Sequence, residues 1–371
     1  MSRYLGLGEG SDSTVNLSSY TQIVASCSGS SGSTSLTATN ASFSAGQRIF
    51  IHQSRGTGAG AYEDNKILSY VAGTITLVHP LENDYTDSGA SQAQVVVVPQ
   101  ATDVTGSFTV DAWDGDTGGL FVIACTGTFS GTINANEKGF RGGNNGRSNG
   151  INSIGQQGEN QTGSQSYAKA SAGVGGGGGG VRTNEGGGVG GAGACANSTS
   201  DSETTKRFSP GAPGGDGATA FGDDSLSTLL FGGGGGGGGV GDSLGTNGLG
   251  VGGNGGGIVV VYANKIDSSA SITCLGEQAG SFDQDQGPGG PGASGMILIR
   301  SKTVTIGTDK IQSGQVERTT LSEGAGFFTY SDYGSEGRIR IESCSITGTT
   351  SPTASESEGG HAWCGSLTFI M

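Results

Sequence analysis

Eight consecutive glycines, Gly232 to Gly239, follow the apolar triplet Leu229, Leu230, Phe231, and after more glycine the chain enters the dense apolar run Ile258 to Val261. Glycine loses more backbone freedom on folding than any other residue, so such a run is ordered only where its peptide groups find partners. A flexible linker would mix serine among its glycines and lack anchors. This run is anchored on both sides and reads as built structure. Polyproline II geometry offers a way to order it, with three residues per turn, no internal hydrogen bonds, and peptide groups pointing outward. Side-chain-free helices of this kind lie against one another and satisfy each other's N–H and C=O groups. At roughly 3.1 Å per residue the run would span roughly 25 Å. Collagen is excluded, because the chain has 7 prolines and no strict G-X-Y period.

The same pattern extends through an insertion from Gly139 to Gly256. Glycine clusters at 142–143, 175–180, 186–193, 211–217, 232–239 and 252–257 alternate with polar segments such as NSTSDSETTKRFS and FGDDSLSTLLF. Runs joined by turns make a bundle, and the segments between them become loops at its ends. With 77 glycines in 371 residues, 6% aromatic and 13% charged residues, the chain matches neither an ordinary enzyme nor a charged disordered tail. A formal charge of −14 excludes an electrostatic footprint for nucleic acid and opposes binding to anionic lipid. Partners are expected to be neutral or basic surfaces, or other copies of the chain. The first residues carry no apolar core of signal-peptide length, and no stretch is long enough to span a bilayer, so no membrane insertion is expected.

Around this insertion the chain reads as all-β. From about residue 21 to residue 100, short strands alternate with turn signals: QRIFIHQ, a hairpin turning at Ala72-Gly73, and QAQVVVVPQ closed by Pro99. We expect an N-terminal β domain, sandwich or barrel, over 1–105, with Ile49, Ile51, Ile67, Ile75, Leu77 and Val96 in its core. A glycine-rich repeat domain, 106–371, follows, with the polyglycine insertion at about 139–256.

Four segments of that second domain share one register: Gly119 before LFVIAC, Gly257 before IVVVYA, Gly295 before MILIRS, and Gly337 before RIRIES. In the first three a second short strand follows, centred on Ile133, Ile272 and Ile311. Strand alternation sorts each copy into faces. One face is Phe121, Ile123, Cys125; Val259, Val261, Ala263; Ile297, Ile299, Ser301; Ile339, Ile341, Ser343. It is apolar and ends in a small residue each time, as a continuous stacked core requires. The other face runs from Leu120, Val122, Ala124 to Arg338, Arg340, Glu342. Burial on both faces is therefore expected for the early copies, with the fourth as a capping unit.

Chemistry-bearing motifs are sparse. His52, His79 and His361 are too far apart in sequence for a local metal motif and read as structural. DGDTGG, Asp114 to Gly119, lacks the remaining ligands of a calcium loop and reads as an Asx turn. LENDYTD, Leu81 to Asp87, groups carboxylates with no second catalytic group and reads as a solvated loop. The fragment GLGEG has no strand-and-helix context for a phosphate loop. Cys27, Cys125, Cys195, Cys274, Cys344 and Cys364 form no C-x-x-C pair and read as small buried hydrophobes of a chain assembled in a reducing compartment. No catalytic group, cofactor or metal site is expected.

The insertion, with glycine runs of six and eight residues separated by variable polar loops on a β chain, resembles the glycine-rich distal adhesins of T-even-type phage tail fibres. The segment GGGIVVVYANKIDSSASITCLG is similar to glycine-led strands of β-solenoid-like phage tail and bacterial surface proteins. The resemblance implies a polyglycine II bundle whose loops contact a bacterial receptor. It implies a non-enzymatic virion tail component, assembled in the host cytoplasm, whose partners are a host surface receptor, protein or glycan, and other fibre subunits. A fibre-forming protein of the cell surface is the alternative. An ice-binding protein is a third reading, opposed by the large, varied loops. A polyglycine lattice has no side chains for recognition, so we expect receptor contacts from Lys206, Arg207 and Phe208, a basic and aromatic cluster in an acidic chain, and from Phe282, Asp283 and Asp285.

Overall fold

A computed structural model describes residues 6–144, 155–163, 175–176, 218–239, 250–279, 289–317 and 333–358. Among these residues the protein is all-β, with a single 3-10 turn at Leu17–Ser19.

The strands of residues 24–98 close into an antiparallel barrel. Its order is Val24–Ser28, Ser35–Ala38, Thr74–Leu77, Tyr62–Val71, Arg48–Arg55 and Gln92–Val98, which pairs back onto the first. The expected hairpin turns at Ala72 and Gly73, both at positive φ (47° and 84°), as a tight two-residue connection requires. Ile49, Ile51, Ile67, Ile75 and Leu77 fill the interior together with Val95 and Val97. Val96 does not: with Val98 it faces outward into a second core. Four consecutive valines carry no alternation by which to choose an inner face, and this strand is buried on both.

The glycine-led strands stack in parallel in the expected register. Leu120–Phe129, Ile258–Ile266, Met296–Thr305 and Arg338–Thr347 are consecutive in an 8-stranded sheet, and Phe121, Val259, Ile297 and Ile339 lie side by side. So do the small residues Cys125, Ala263, Ser301 and Ser343. The short strands Thr132–Asn134, Ser271–Thr273 and Ile311–Gln312 form a second, 4-stranded sheet headed by Ser107–Thr109. Ile133, Ile272 and Ile311 meet Phe121, Val259 and Ile297 between the layers, giving one continuous apolar core.

The stack is longer than the four repeats. Val15–Asn16, Gln100–Ala101 and Val104–Thr105 extend it before the first, and Ser355–Glu358 pairs beyond the fourth, so Arg338–Thr347 is not the cap. Its outer face is nonetheless half-exposed at Arg338, Arg340 and Glu342, and Glu342 pairs with Arg300 at 2.8 Å.

The outer face of the first three copies is apolar because the barrel covers it. Leu120, Val122, Ile258, Val260, Met296 and Leu298 share a core with Phe50, Tyr62, Val96 and Val98 of the barrel wall and with Leu229, Leu230 and Phe231. Where the face turns polar, at Tyr262, its hydroxyl donates to Asp64 Oδ2 (2.9 Å), and Arg48 binds Asp64 Oδ1 (3.0 Å) while lying over the Tyr262 ring.

Beyond the sheet the described glycine segments around 232–238 are buried and hydrogen-bonded to one another with a period of three. Gly232, Gly235 and Gly238 donate to the carbonyls of Gly256, Gly253 and Gly250, while Gly234 and Gly237 donate to those of Glu159 and Gln156. Gly233 and Gly236 accept from Ala293 and Gly290, and Gly232 and Gly235 accept from Phe140 and Gly143. Partner numbers fall by three along 250–256, 156–159 and 290–293 and rise along 140–143, so neighbouring segments run both antiparallel and parallel to the central one. A Cβ at Gly142, Gly234, Gly235 or Gly255 would overlap a backbone carbonyl of the adjacent segment.

Candidate functional site

Two buried polar clasps fix the array against the barrel. His52 is fully buried, with Nε2 2.9 Å from the Leu229 carbonyl and Nδ1 2.9 Å from Ser54 Oγ. With Nε2 donating to that carbonyl, Nδ1 accepts from the serine, whose oxygen in turn takes a bond from Gln94 Nε2. Gln94 also exchanges two bonds with the backbone of Gly118, at 2.9 and 3.0 Å. Burial lowers the His52 pKa to about 4, so the ring is neutral, and its role is structural. In the second clasp the buried carboxylate of Glu159 is held by Arg55 from the barrel and by Arg141 Nε at 2.9 Å, while Arg141 Nη1 donates to the Asp114 carbonyl at 2.8 Å.

Beside the second clasp opens a cleft of about 760 Å³, lined by Trp113, Glu137, Arg141, Asn144, Asn254 and Glu277 and by backbone of the glycine segments. Its floor is set by glycine-array bonding: Gly142 N–H donates to Asn254 Oδ1, and Asn254 N–H donates to Glu277 Oε2, both at 2.9 Å. Burial, followed by the charge of Glu137, raises the Glu277 pKa, while the bond from Asn254 opposes the shift. Neither Glu137 nor Glu277 forms an ion pair among the described residues. Trp113 is 2% exposed and packs against Phe231 and Phe140, and its indole N–H has no hydrogen-bond partner among the described residues.

The flanks of three undescribed segments meet here. Gln156 donates to Asn144 across the 145–154 segment, Gly238 donates to Gly250 across 240–249, and Asn144 and Ala279, which precedes 280–288, both line the cleft. The expected contact residues Phe282, Asp283 and Asp285 belong to the last of these segments, and Lys206, Arg207 and Phe208 to 177–217; all six lie outside the described residues.

Other sequence expectations find definite places. Asp114 Oδ1 accepts the N–H groups of Asp116 and Thr117, both at 2.9 Å, which is an Asx turn. Within LENDYTD, Leu81 and Tyr85 are buried under the barrel end, and Asp84 caps the N–H of Ser31 at 2.8 Å. Cys27, Cys125 and Cys274 are free and buried, but Cys344 is disulfide-bonded, which corrects the reading of all six as reduced hydrophobes. Cys344 sits on the half-exposed outer face of its strand, whereas the free thiols point into cores. Sequence reasoning missed Glu159, Arg141, Trp113, Glu137, Asn254 and Glu277, since nothing in their spacing joins them. The one available signal was a charged residue held close to glycine, as in GQQGEN and LGEQ.

A closed barrel set against a two-layer parallel β stack that continues into hydrogen-bonded glycine segments defines the class of this protein. No protein-family model and no curated protein matches the chain. Solved structures that it is similar to include the Gp54 tailspike of Acinetobacter baumannii bacteriophage AP22 in complex with A. baumannii capsular saccharide, at 10% identity and a TM-score of 0.20. That overlap covers 89% of this chain and 57% of the tailspike, so the chain spans little more than half of that protein's length. A score of this size does not establish a common fold. Among the described residues no helix is long and apolar enough to cross a membrane.

Proposed function

We propose that the protein is a non-enzymatic adhesive scaffold, a phage tail-fibre or receptor-binding component, in which glycine segments form a polyglycine II-type bundle and the segments between them contact the host surface. The three-residue hydrogen-bond period of 232–238 supports the bundle, since a helix of three residues per turn returns each peptide group to the same neighbour every third residue. The observation that carries the function is the meeting of Asn144, Gln156, Gly238, Gly250 and Gly290 at one end of the array, bonded to each other or to shared neighbours. The flanks of segments of unrelated sequence are thereby brought to one end of the array, where the run 232–239 itself offers no side chains for recognition.

Attachment of the purified protein to a panel of bacterial strains tests this. Segments 145–154, 240–249, 280–288 and Asn197 to Ser209 are then replaced one at a time by unrelated sequences, with folding checked by circular dichroism. Loss of attachment in a folded variant is the expected result. Attachment that survives every replacement, or no attachment by the unaltered protein, overturns the reading.

A further inference from the structure

The cleft beside the Arg55–Glu159–Arg141 clasp has a chemistry of its own, independent of the segments at its rim. Its acidic groups are Glu137 and Glu277, neither in an ion pair among the described residues, and its basic group is Arg141, already bound through Nε and Nη2 to Glu159. Among the described residues the lining also includes the amides of Asn144, Asn254 and Gln278 and the backbone of Gly139, Gly142 and Gly252. An anionic ligand would therefore face two carboxylates outside any ion pair among the described residues, with Lys138 near Glu277 offsetting only part of their charge. A ligand rich in hydroxyl donors would instead find carboxylate and amide acceptors spaced between stretches of glycine backbone. The volume, about 760 Å³, falls within the range of sites that enclose small ligands. The unsatisfied indole N–H of Trp113 in the same wall adds a buried polar group of the kind that in most proteins has a partner.

We propose that this cleft is a saccharide subsite that takes an uncharged, hydroxyl-bearing sugar unit and discriminates against acidic ones, with Glu137, Glu277 and Asn254 as its polar contacts. This rests on the adhesive reading and names the class of ligand. Carboxylates bind vicinal hydroxyls through short charge-assisted bonds, so each contact contributes strongly to selectivity. The selectivity runs opposite to that of an arginine-lined site.

The test uses the full-length protein and an array of immobilised oligosaccharides, neutral on one side and uronic, sialic or phosphorylated on the other. Binding to neutral members is expected, weakened tenfold or more by Glu277→Gln and by Glu137→Gln. The second variant changes an exposed side chain with no ion pair among the described residues, so it separates loss of binding from loss of folding. Preference for acidic glycans, binding of neutral glycans unaffected by both variants, absence of neutral binding, or binding only of a polylysine probe would each overturn the proposal. If both variants still attach to cells as the unaltered protein does, the subsite proposal fails while the adhesive reading stands. If the unaltered protein attaches to nothing, the adhesive reading fails first.

Discussion

Replacing Gly235 with alanine adds one methyl group at the centre of the glycine array, where it has nowhere to go. The new Cβ would lie 2.5 Å from the Gly290 carbonyl carbon and 2.7 Å from the Pro291 oxygen, and closer still to the Gly290 oxygen. Ordinary contact begins near 3.4 Å, so the neighbouring segment must retreat by more than 1 Å. That segment cannot move freely, because Gly290 donates to Gly236 at 2.8 Å and accepts from Gly253 at 2.9 Å. Overpacking costs about 1–3 kcal/mol, and a buried peptide group left without its bond costs about 1–3 kcal/mol more. Restricting the unfolded chain returns only about 0.4–1 kcal/mol. The net is a destabilisation of about 3 kcal/mol. Gly163→Ala is the control: its Cβ meets nothing within 4 Å and its φ is not positive, so that variant should match the unaltered protein or slightly exceed it. Urea unfolding followed by tryptophan fluorescence reads both, and hydrogen exchange at 232–238 should accelerate in Gly235→Ala alone. Equal midpoints for the two variants would refute close backbone packing in the array.

Val261→Asp places a carboxylate between Ile123 and Ile299 in the inter-layer core and should cost several kcal/mol, on the order of 4, whereas Leu68→Asp on the barrel exterior, 60% exposed, should fall within about 0.5 kcal/mol of the unaltered protein. Thermal unfolding of the pair decides whether the face assignment holds. His52 gives the pH dependence. Its folded pKa of about 4 lies below the unfolded value of about 6.5, so between those limits the unfolded chain binds a proton that the folded chain refuses. This contribution is fully present above pH 6.5 and is lost as pH falls toward 4, by on the order of 3 kcal/mol in total. His52→Gln should flatten stability across that window, and an unchanged slope would sink the assignment.

The parts of this fold that were legible in the sequence are those where burial on one face writes a period of two. Phe121, Val259, Ile297 and Ile339 could be aligned because each stands two residues after a glycine and is followed by alternating apolar residues. The same rule fails at Val95 to Val98, where both faces are buried, so Val96 was assigned to the barrel interior when it packs against the stack. It also fails for Val15–Asn16 and Ser355–Glu358, whose two and four residues are too few to show alternation. The cleft was not legible at all. Glu137, Asn254 and Glu277 come from three segments distant in sequence, joined by bonds such as Glu137 N–H to the Leu275 carbonyl and Glu277 N–H to the Asn254 carbonyl, and no spacing rule covers pairings of that kind.

That backbone pairing explains why a stack of ordinary strands precedes the glycine segments. The central run 232–239 has no side chains to set which of its residues faces which residue of the next segment, and a slip along so uniform a run would exchange equivalent bonds at little cost. The register has to be imposed from outside. The sheet imposes it: Ile258 N–H donates to the Gly119 carbonyl, Met296 to Gly257 and Arg338 to Gly295, so the last rung of side-chain-bearing strands hands its alignment to the first peptide groups of the array. The eight residues from Gly257 back to Gly250 carry that alignment away from the sheet. The bonds that hand over this register lie among the described residues of the sheet and of the array's first rungs. On the adhesive reading, attachment by 280–288 and stability of the array rest on different residues. Substitutions in 280–288 should change attachment without changing stability, and substitutions at Gly235 should do the reverse.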